Sequence, residues 1–317
     1  MSRSRSSIKA LAIAAGVLVV VLLFAEIGVR ATGVIDFPLY HADDVIGYIP
    51  EPNQQGSFLH KNTWILNDKS QGTTRWAPNG NRDLLLLGDS LVWGGNMLRQ
   101  EEKLGPLLEK KLPGWRVWPA SAGSWSIANE VTYLDLHPDV ESEADVIVWV
   151  VNTGDLDRPS RWSSEETHPR TRPISALVYA FKKYALPWIS GKLRAAPPPD
   201  PAAAPPSMPA LLPETEAALH ARITKLRAEY PGRKILFVLY ADQSQLPPDA
   251  EADEAFYRKF RDHLRSNLDA SIDIVEVRDD PRWKRALYRD GIHPSGAGDD
   301  VLAEIILEHL NLAPASQ

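Results

Sequence analysis

Ser90, Asp290 and His293 are the residues whose types and spacing suit covalent chemistry. Ser90 ends the stretch Leu84-Leu85-Leu86-Leu87-Gly88-Asp89-Ser90. Four consecutive leucines read as a strand buried on both faces, as in the middle of a parallel sheet. A serine at the carboxyl end of such a strand stands where open α/β sheets place ligands. Its hydroxyl is a weak nucleophile until a base takes its proton. The base lies about two hundred residues downstream, in Asp290-Gly291-Ile292-His293-Pro294-Ser295. An Asp three residues before a His, bent by Asp-Gly and His-Pro, puts both side chains on one short loop. Asp290 then holds one imidazole nitrogen while the other faces Ser90, the division of roles in a Ser-His-Asp triad. No G-x-S-x-G elbow surrounds Ser90, so the α/β-hydrolase version of this chain order is not supported.

At these residues the sequence resembles the SGNH, or GDSL, hydrolase family. Gly88-Asp89-Ser90-Leu91 matches the first block of that family and Asp290-Gly291-Ile292-His293-Pro294 the last, and the resemblance covers roughly residues 82–312. It implies acyl transfer on carboxylic esters, with donors to an oxyanion from two further blocks. The glycine of the second block falls in Pro119–Ser126, where Gly123 is the nearest match and a shifted register puts Ser124 in its place. Small residues at a strand end let a backbone N–H approach a bound group; without the resemblance the stretch is simply a small-residue turn. The third block, Gly-x-Asn-Asp in the family, stands here as Asn152-Thr153-Gly154-Asp155, with Gly and Asn exchanged. Asn152 comes two residues early, on the same side of an extended chain. It is the candidate side-chain donor, with a polar cap of no catalytic role as the alternative. The expected oxyanion hole is therefore Ser90, Gly123 and Asn152. Asp89 is assigned to bonding across the turn that presents Ser90.

Elements to position these residues follow along the chain. Short helices are expected over 102–111 and 127–136, strands over 115–118 and 146–151, a helix over 214–230 and a strand over 234–240. A helix over 255–268, a strand over 272–277 and a last helix over 297–310 complete the series. Strands alternating with helices imply right-handed crossovers and a parallel sheet covered on both faces. The expected fold is a three-layer α/β/α, flavodoxin-like sandwich with about five strands, preceded by a transmembrane helix.

Arg3, Arg5 and Lys9 precede an uncharged run from Ala10 to Ala25, and Glu26 and Arg30 follow it. With Ile27 and Val29 included, the run is long enough to span a bilayer, and its charges put the amino terminus in the cytoplasm. A cleaved signal peptide and a buried core helix are the competing readings. Residues 34–81 read as irregular or short-stranded covering structure. Gly47-Tyr48 and Pro52-Asn53 there resemble the leading segments of membrane-tethered SGNH members, and Trp64 and Trp76 are expected to cover the core rather than line a groove. Residues 82–312 form the catalytic domain, interrupted at about 158–213 by an insertion. That insertion carries a short apolar helix over 176–188, a Pro/Ala-rich stretch over 195–213, and Arg161, Trp162, His168 and Arg170 available to polar substrates.

A formal charge of −6 gives no reason to expect nucleic acid as a partner. With no cysteine there is no disulfide, no thiolate catalysis and no Cys-ligated metal. The other histidines, His41, His60, His137, His168, His220, His263 and His309, show no metal-ligand spacing, and no nucleotide-binding motif occurs, so no cofactor is expected. The expected protein is an esterase anchored in the cytoplasmic membrane with its catalytic domain on the far side. It would remove O-acetyl or similar groups from envelope or exported carbohydrate, with a partner in a polysaccharide-modification system in view. An O-acetyltransferase with the same triad, and an inactive SGNH-like binding protein, are the alternatives.

Overall fold

The computed structural model describes residues 2–78, 80, 82–193, 211–247 and 254–312. Helix α1 (Ser2–Arg30) leads into two antiparallel hairpins, β1 (Tyr40–Asp43) with β2 (Gly47–Pro50) and β3 (Gln54–Phe58) with β4 (Asn62–Leu66). The sheet begins at β5 (Asp83–Gly88), followed by α2 (Ser90–Trp93), α3 (Leu104–Lys111) and β6 (Arg116–Ser121). Then come α4 (Ile127–Leu136), α5 (Pro138–Glu143) and β7 (Val146–Val151). The insertion carries α6 (Ala176–Ala180) and α7 (Leu186–Leu193), joined through a single π-helical turn at Phe181–Ala185. The chain closes with α8 (Pro213–Glu229), β8 (Lys234–Leu239), α9 (Glu254–Asn267), β9 (Asp273–Glu276) and α10 (Gly296–Leu310).

The five long-range strands pair in parallel in the order β6-β5-β7-β8-β9. Counted within the sheet this is 2-1-3-4-5, the flavodoxin-like order, whose topological switch point lies between its first and third strands. The first crossover runs one way from β5 and the later ones run the other way. Right-handed connections therefore put the helices on opposite faces: α3 packs with α10, while α4, α8 and α9 pack in a row. The expected α/β sandwich is present. Leu84–Leu87 are fully buried because β5 has a strand on each side and helices above and below, which is why four leucines are tolerated in succession.

Some boundaries differ from expectation, with physical causes. The second strand continues through Pro119 to Ser121 rather than stopping at Trp118, because β6 is an edge strand. There the missing N–H costs no ladder bond, and the Pro119 carbonyl still accepts from Gly72 N. The helix expected from Glu102 starts at Leu104, since Gln100–Glu102 forms a tighter 3-10 turn in which Glu102 bonds back to Arg99. The insertion helix extends beyond Trp188 to Leu193. Of the Pro/Ala-rich stretch expected over 195–213, residues 195–210 lie outside the described residues, and Pro213 is the first residue of α8.

The amino-terminal segment is built from the two hairpins. Trp64 is buried with its Nε1 donating to Asp36 O, and Trp76 packs its ring 4.3 Å from that of Trp118, so both cover core. Helix α1 contains a 23-residue stretch, Ile8–Arg30, with mean hydropathy 2.7 and none of its most apolar window buried inside the protein. At 1.5 Å per residue it reaches about 35 Å, long enough to cross a bilayer. Its exposure removes the core-helix reading.

Candidate active site

Strand β5 delivers Ser90 through a turn with little room. A Cβ on Gly88 would come within 2.6 Å of Val92 Cγ2 and 3.0 Å of Val150 O, so only glycine lets the chain bend there. Asp89 then caps α2, its Oδ1 accepting from Leu91 N at 2.8 Å. Gly94, with φ of 70°, ends the helix after one turn. Ser90 is thereby the first helical residue, at the carboxyl end of the central strand and beside the switch point.

The structure brings Ser90, His293 and Asp290 together. Ser90 Oγ lies 2.9 Å from His293 Nε2, and His293 Nδ1 lies 3.0 and 3.1 Å from the two oxygens of Asp290. Asp290 Oδ1 also accepts the backbone N–H groups of Ile292 and His293, at 2.9 and 2.7 Å. Partial burial works to raise the Asp290 carboxyl, but those backbone donors and the imidazole outweigh it and hold it below the ordinary carboxylate range. An ionised Asp290 makes Nδ1 the protonated nitrogen and leaves Nε2 free to accept the Ser90 proton. The loop is pinned from three sides. Tyr240 Oη donates to Ile292 O at 2.7 Å, Gln243 N donates to Gly291 O at 2.9 Å, and Arg289 N donates to His293 O at 2.9 Å.

The expected oxyanion donors are placed less simply. Gly123 is held through its carbonyl, which accepts from Tyr48 Oη at 2.5 Å and from His168 Nε2 at 3.1 Å. Its own N–H has no partner among the described residues. Ser124 takes a positive φ of 63° beside it. Asn152 is committed elsewhere: its Nδ2 donates at 3.1 Å to Asp89 Oδ2 and at 3.1 Å to Asp155 Oδ1. An amide nitrogen has two hydrogens, so in this arrangement Asn152 has none left for an oxyanion. The exchanged block is instead a brace, with Asn152 Oδ1 accepting from Gly154 N and Asp155 Oδ2 accepting from Asn152 N, both at 2.7 Å.

Behind this brace Asp89, Asp155 and Glu130 are all buried. Burial pushes each of the three upward, and repulsion from Asp89 adds to the rise of Glu130 and, with Glu130, to that of Asp155. Hydrogen bonds from Leu91, Trp149 and Asn152 to Asp89, Glu130 and Asp155 respectively oppose it, as does His293 at Asp89. Below the nucleophile, Lys103 and Arg289 face Asp299, whose two carboxyl oxygens are buried with no hydrogen bond among the described residues. Arg289 Nη1 donates to Gly94 O at 2.9 Å and ties the end of α2 to the Asp290 loop. Burial, with Arg289 nearby, pulls Lys103 down to about 8.

Sequence reasoning places Tyr48 only within a family-like segment, with no role at the site, and leaves the polar residues of the insertion open to substrate. His168, expected to be open to substrate, is buried between Tyr48, ring centroids 4.1 Å apart, and Tyr40, 4.9 Å away. Trp162 donates to His168 O at 2.7 Å, and Arg170 covers the Trp162 ring while pairing with Glu165 at 2.7 Å. These residues hold the loop over Gly123; Arg161 alone of the four stays clear of that network, beside a cleft it shares with Asp43 and Asp44. A histidine between two tyrosines of a hairpin more than a hundred residues earlier leaves no local signal.

No family model matches the chain, and no curated protein matches it. Several solved structures are similar. An acetylxylan esterase from Geobacillus stearothermophilus is 15% identical over 76% of this chain and 100% of its own, with a TM-score of 0.41. A member of the lipolytic G-D-S-L family from Veillonella parvula is 9% identical over 73% and 100%, TM-score 0.42. A lipase from a goat rumen metagenome is 13% identical over 72% and 97%, TM-score 0.39. By its own sheet order, and by the two blocks that its first strand and last loop carry, the chain has an SGNH-like fold.

Proposed function

We propose that the chain is a membrane-anchored serine hydrolase of carboxylic esters. The observation that carries this reading is the continuous path Ser90 Oγ–His293 Nε2, His293 Nδ1–Asp290, with 2.9 and 3.0 Å separations. Ser90 Oγ attacks the ester carbonyl as His293 takes its proton. The tetrahedral oxyanion is held by backbone N–H groups, of Gly123 and of Ser90 itself. His293 returns the proton to the leaving alkoxide, and water repeats the sequence on the acyl-enzyme. Asp290 keeps the imidazole in the tautomer that this exchange needs.

Two features favour an acylated carbohydrate outside the cytoplasm. A cleft of about 560 Å³ opens beside the loop that carries His293, lined by Asp242, Gln243, Ser244, Arg285, Gly291 and Ile292. Four of these six residues carry polar side chains of the kind that bind sugar hydroxyls. Arg3, Arg5 and Lys9 ahead of the apolar helix favour retention of the amino terminus in the cytoplasm, which carries the domain across the membrane. The test is labelling of the full chain in detergent with a fluorophosphonate probe, beside Ser90→Ala and His293→Ala. Label that needs both residues, with acetate released from an O-acetylated polysaccharide, supports the reading. A folded wild-type chain that takes no label overturns it. Acetate that appears only on an added sugar acceptor would replace hydrolase by acetyltransferase.

A further inference from the structure

We infer that the insertion helix α6–α7 is a membrane-surface element, seated on the same bilayer that α1 spans. This inference rests on the reading of α1 as a membrane anchor and extends it to a second, separate contact.

The helix is tied to the last turn of α1 by charged groups. Glu26 caps its amino end: Oε1 accepts from Ala176 N at 2.9 Å, and Oε2 accepts from Leu177 N at 2.9 Å and Ser175 Oγ at 2.8 Å. Arg30, paired with Glu26 at 2.6 Å, donates to the Ile174 carbonyl. Glu26 and Arg30 are also the first charges after the apolar run, so they mark the level at which α1 leaves hydrocarbon. The start of α6 is thereby fixed within about one helical turn, roughly 5 Å, of the membrane boundary.

The two sides of this helix differ. One side faces the protein: Ala176 is buried, Tyr179 packs 5.2 Å from Phe37, and Lys183 Nζ donates to Glu166 O at 2.8 Å. Exposed apolar side chains run along the rest of the helix, Ile174 just ahead of the first turn, Val178 and Phe181 one turn apart and Trp188 beyond the π-helical turn, with exposures of 98%, 51%, 50% and 63%. Tyr184 and Leu186 flank it, each nearly half exposed, and Lys182 is exposed beside it. A contiguous apolar face of this kind marks an interaction site. An apolar stripe with Trp, Tyr and Lys at its edges matches helices that lie at the headgroup level, with aromatic rings in the interface and lysines reaching out to phosphate. The stripe adjoins a helix that is itself exposed and apolar along its length, which makes the bilayer the occupant common to both. Because Lys183 holds the Glu166 carbonyl of the loop that carries His168, the anchor, the stripe and the cover over Gly123 form one connected unit. The active site then rides against the membrane instead of swinging on a tether.

The absence of cysteine makes the test direct, since one introduced thiol is the only labelled site. The full chain is labelled with bimane at Val19→Cys, Phe181→Cys, Trp188→Cys or Glu143→Cys, one at a time. It is then reconstituted in vesicles of phosphatidylcholine with phosphatidylglycerol. Quenching by nitroxide-bearing lipid is compared with quenching by aqueous iodide. Labels at 19, 181 and 188 are expected to be quenched several-fold more by the lipid, and that at 143, on the exposed end of α5, by iodide. Lipid quenching at 19 with iodide quenching at 181 and 188 overturns the inference and leaves the anchor standing. Labels at 181 and 188 shielded from both quenchers also overturn it, since the stripe would then be covered by protein. No lipid quenching at 19 removes the anchor reading, and the inference with it.

Discussion

Ser90, His293 and Asp290 are set by their own short segments, whereas the groups around Gly123 and Asn152 are set by residues drawn from across the chain. Ser90 depends on Gly88, Asp89 and Gly94; His293 depends on Asp290, three residues away. Gly123, by contrast, is held by Tyr48 from a hairpin 75 residues earlier and His168 from an insertion 45 residues later. Asn152 is held by Asp89, 63 residues before it. Each proton-handling residue thus takes its conformation from its own segment, while the meeting of the two segments is fixed by Tyr240, Gln243 and the Arg289–Gly94 bond. The proposed anion-holding side is a property of the assembled fold, and it is where the sequence departs from the blocks it resembles.

The largest test of that contrast is on the local side. Ser90→Ala and His293→Ala should each lower kcat on aryl acetate by about 10⁵- to 10⁶-fold, and the double variant should lose no more than either single one, because the two act as a unit. Losses that multiply would mean that Ser90 and His293 do not share one proton. Asp290→Asn comes next, with a loss of about 10⁴-fold. The amide would offer N–H to Nδ1, move the imidazole proton to Nε2 and leave the base blocked. A loss below about tenfold would show that the backbone contacts of the loop, and not the carboxylate, orient His293.

The same contrast explains what sequence alone could reveal. The juxtaposition of Ser90, Asp290 and His293 was legible because turn chemistry and candidate residue sit within a few positions of each other. The central strands were legible because Leu84–Leu87 and Val146–Val151 admit no other burial pattern. The strand through Pro119 was not, since its tolerance depends on β6 being at the sheet edge, a fact of topology. Asn152 is expected from its block to donate to an oxyanion, whereas in the structure its amide is engaged with two carboxyl groups. Its side chain answers to Asp89 and Asp155, and nothing near position 152 announces that two buried carboxyls compete for the amide. Tyr48 and His168 belong to segments whose composition is that of ordinary covering structure, so their meeting over the Gly123 carbonyl is invisible before folding.

Asn152→Ala separates brace from donor. If the amide braces the turn, kcat should fall less than about tenfold while stability drops about 1–3 kcal/mol, the cost of unpairing buried polar groups. A kcat loss of 100-fold or more at unchanged stability, the mark of an oxyanion donor, would restore Asn152 to the catalytic side. Tyr48→Phe tests the remote control of Gly123: with its carbonyl left to His168 alone, kcat should drop roughly tenfold with KM little changed, a loss confined to the transition state.

The last test concerns the buried acids behind the brace, and its sign distinguishes them from Asp290. Glu130 is pushed up by burial, against the Trp149 N–H that its carboxyl accepts, and by Asp89 nearby, to about 8 from its ordinary 4.5. A carboxyl raised in this way binds its proton more tightly folded than unfolded. Its contribution to stability is complete below about pH 4.5 and is lost as pH rises through about 8, with a slope of at most about 1.4 kcal/mol per pH unit. Asp290, held low, behaves oppositely, contributing above its unfolded value and losing that contribution in acid. Glu130→Gln keeps an acceptor for Trp149 but cannot titrate, so urea unfolding across pH 4.5 to 8 should show a flatter profile than the wild-type chain. Parallel profiles would mean that Glu130 is ionised in its buried site, with the charge balanced by a group other than the carboxyls around it.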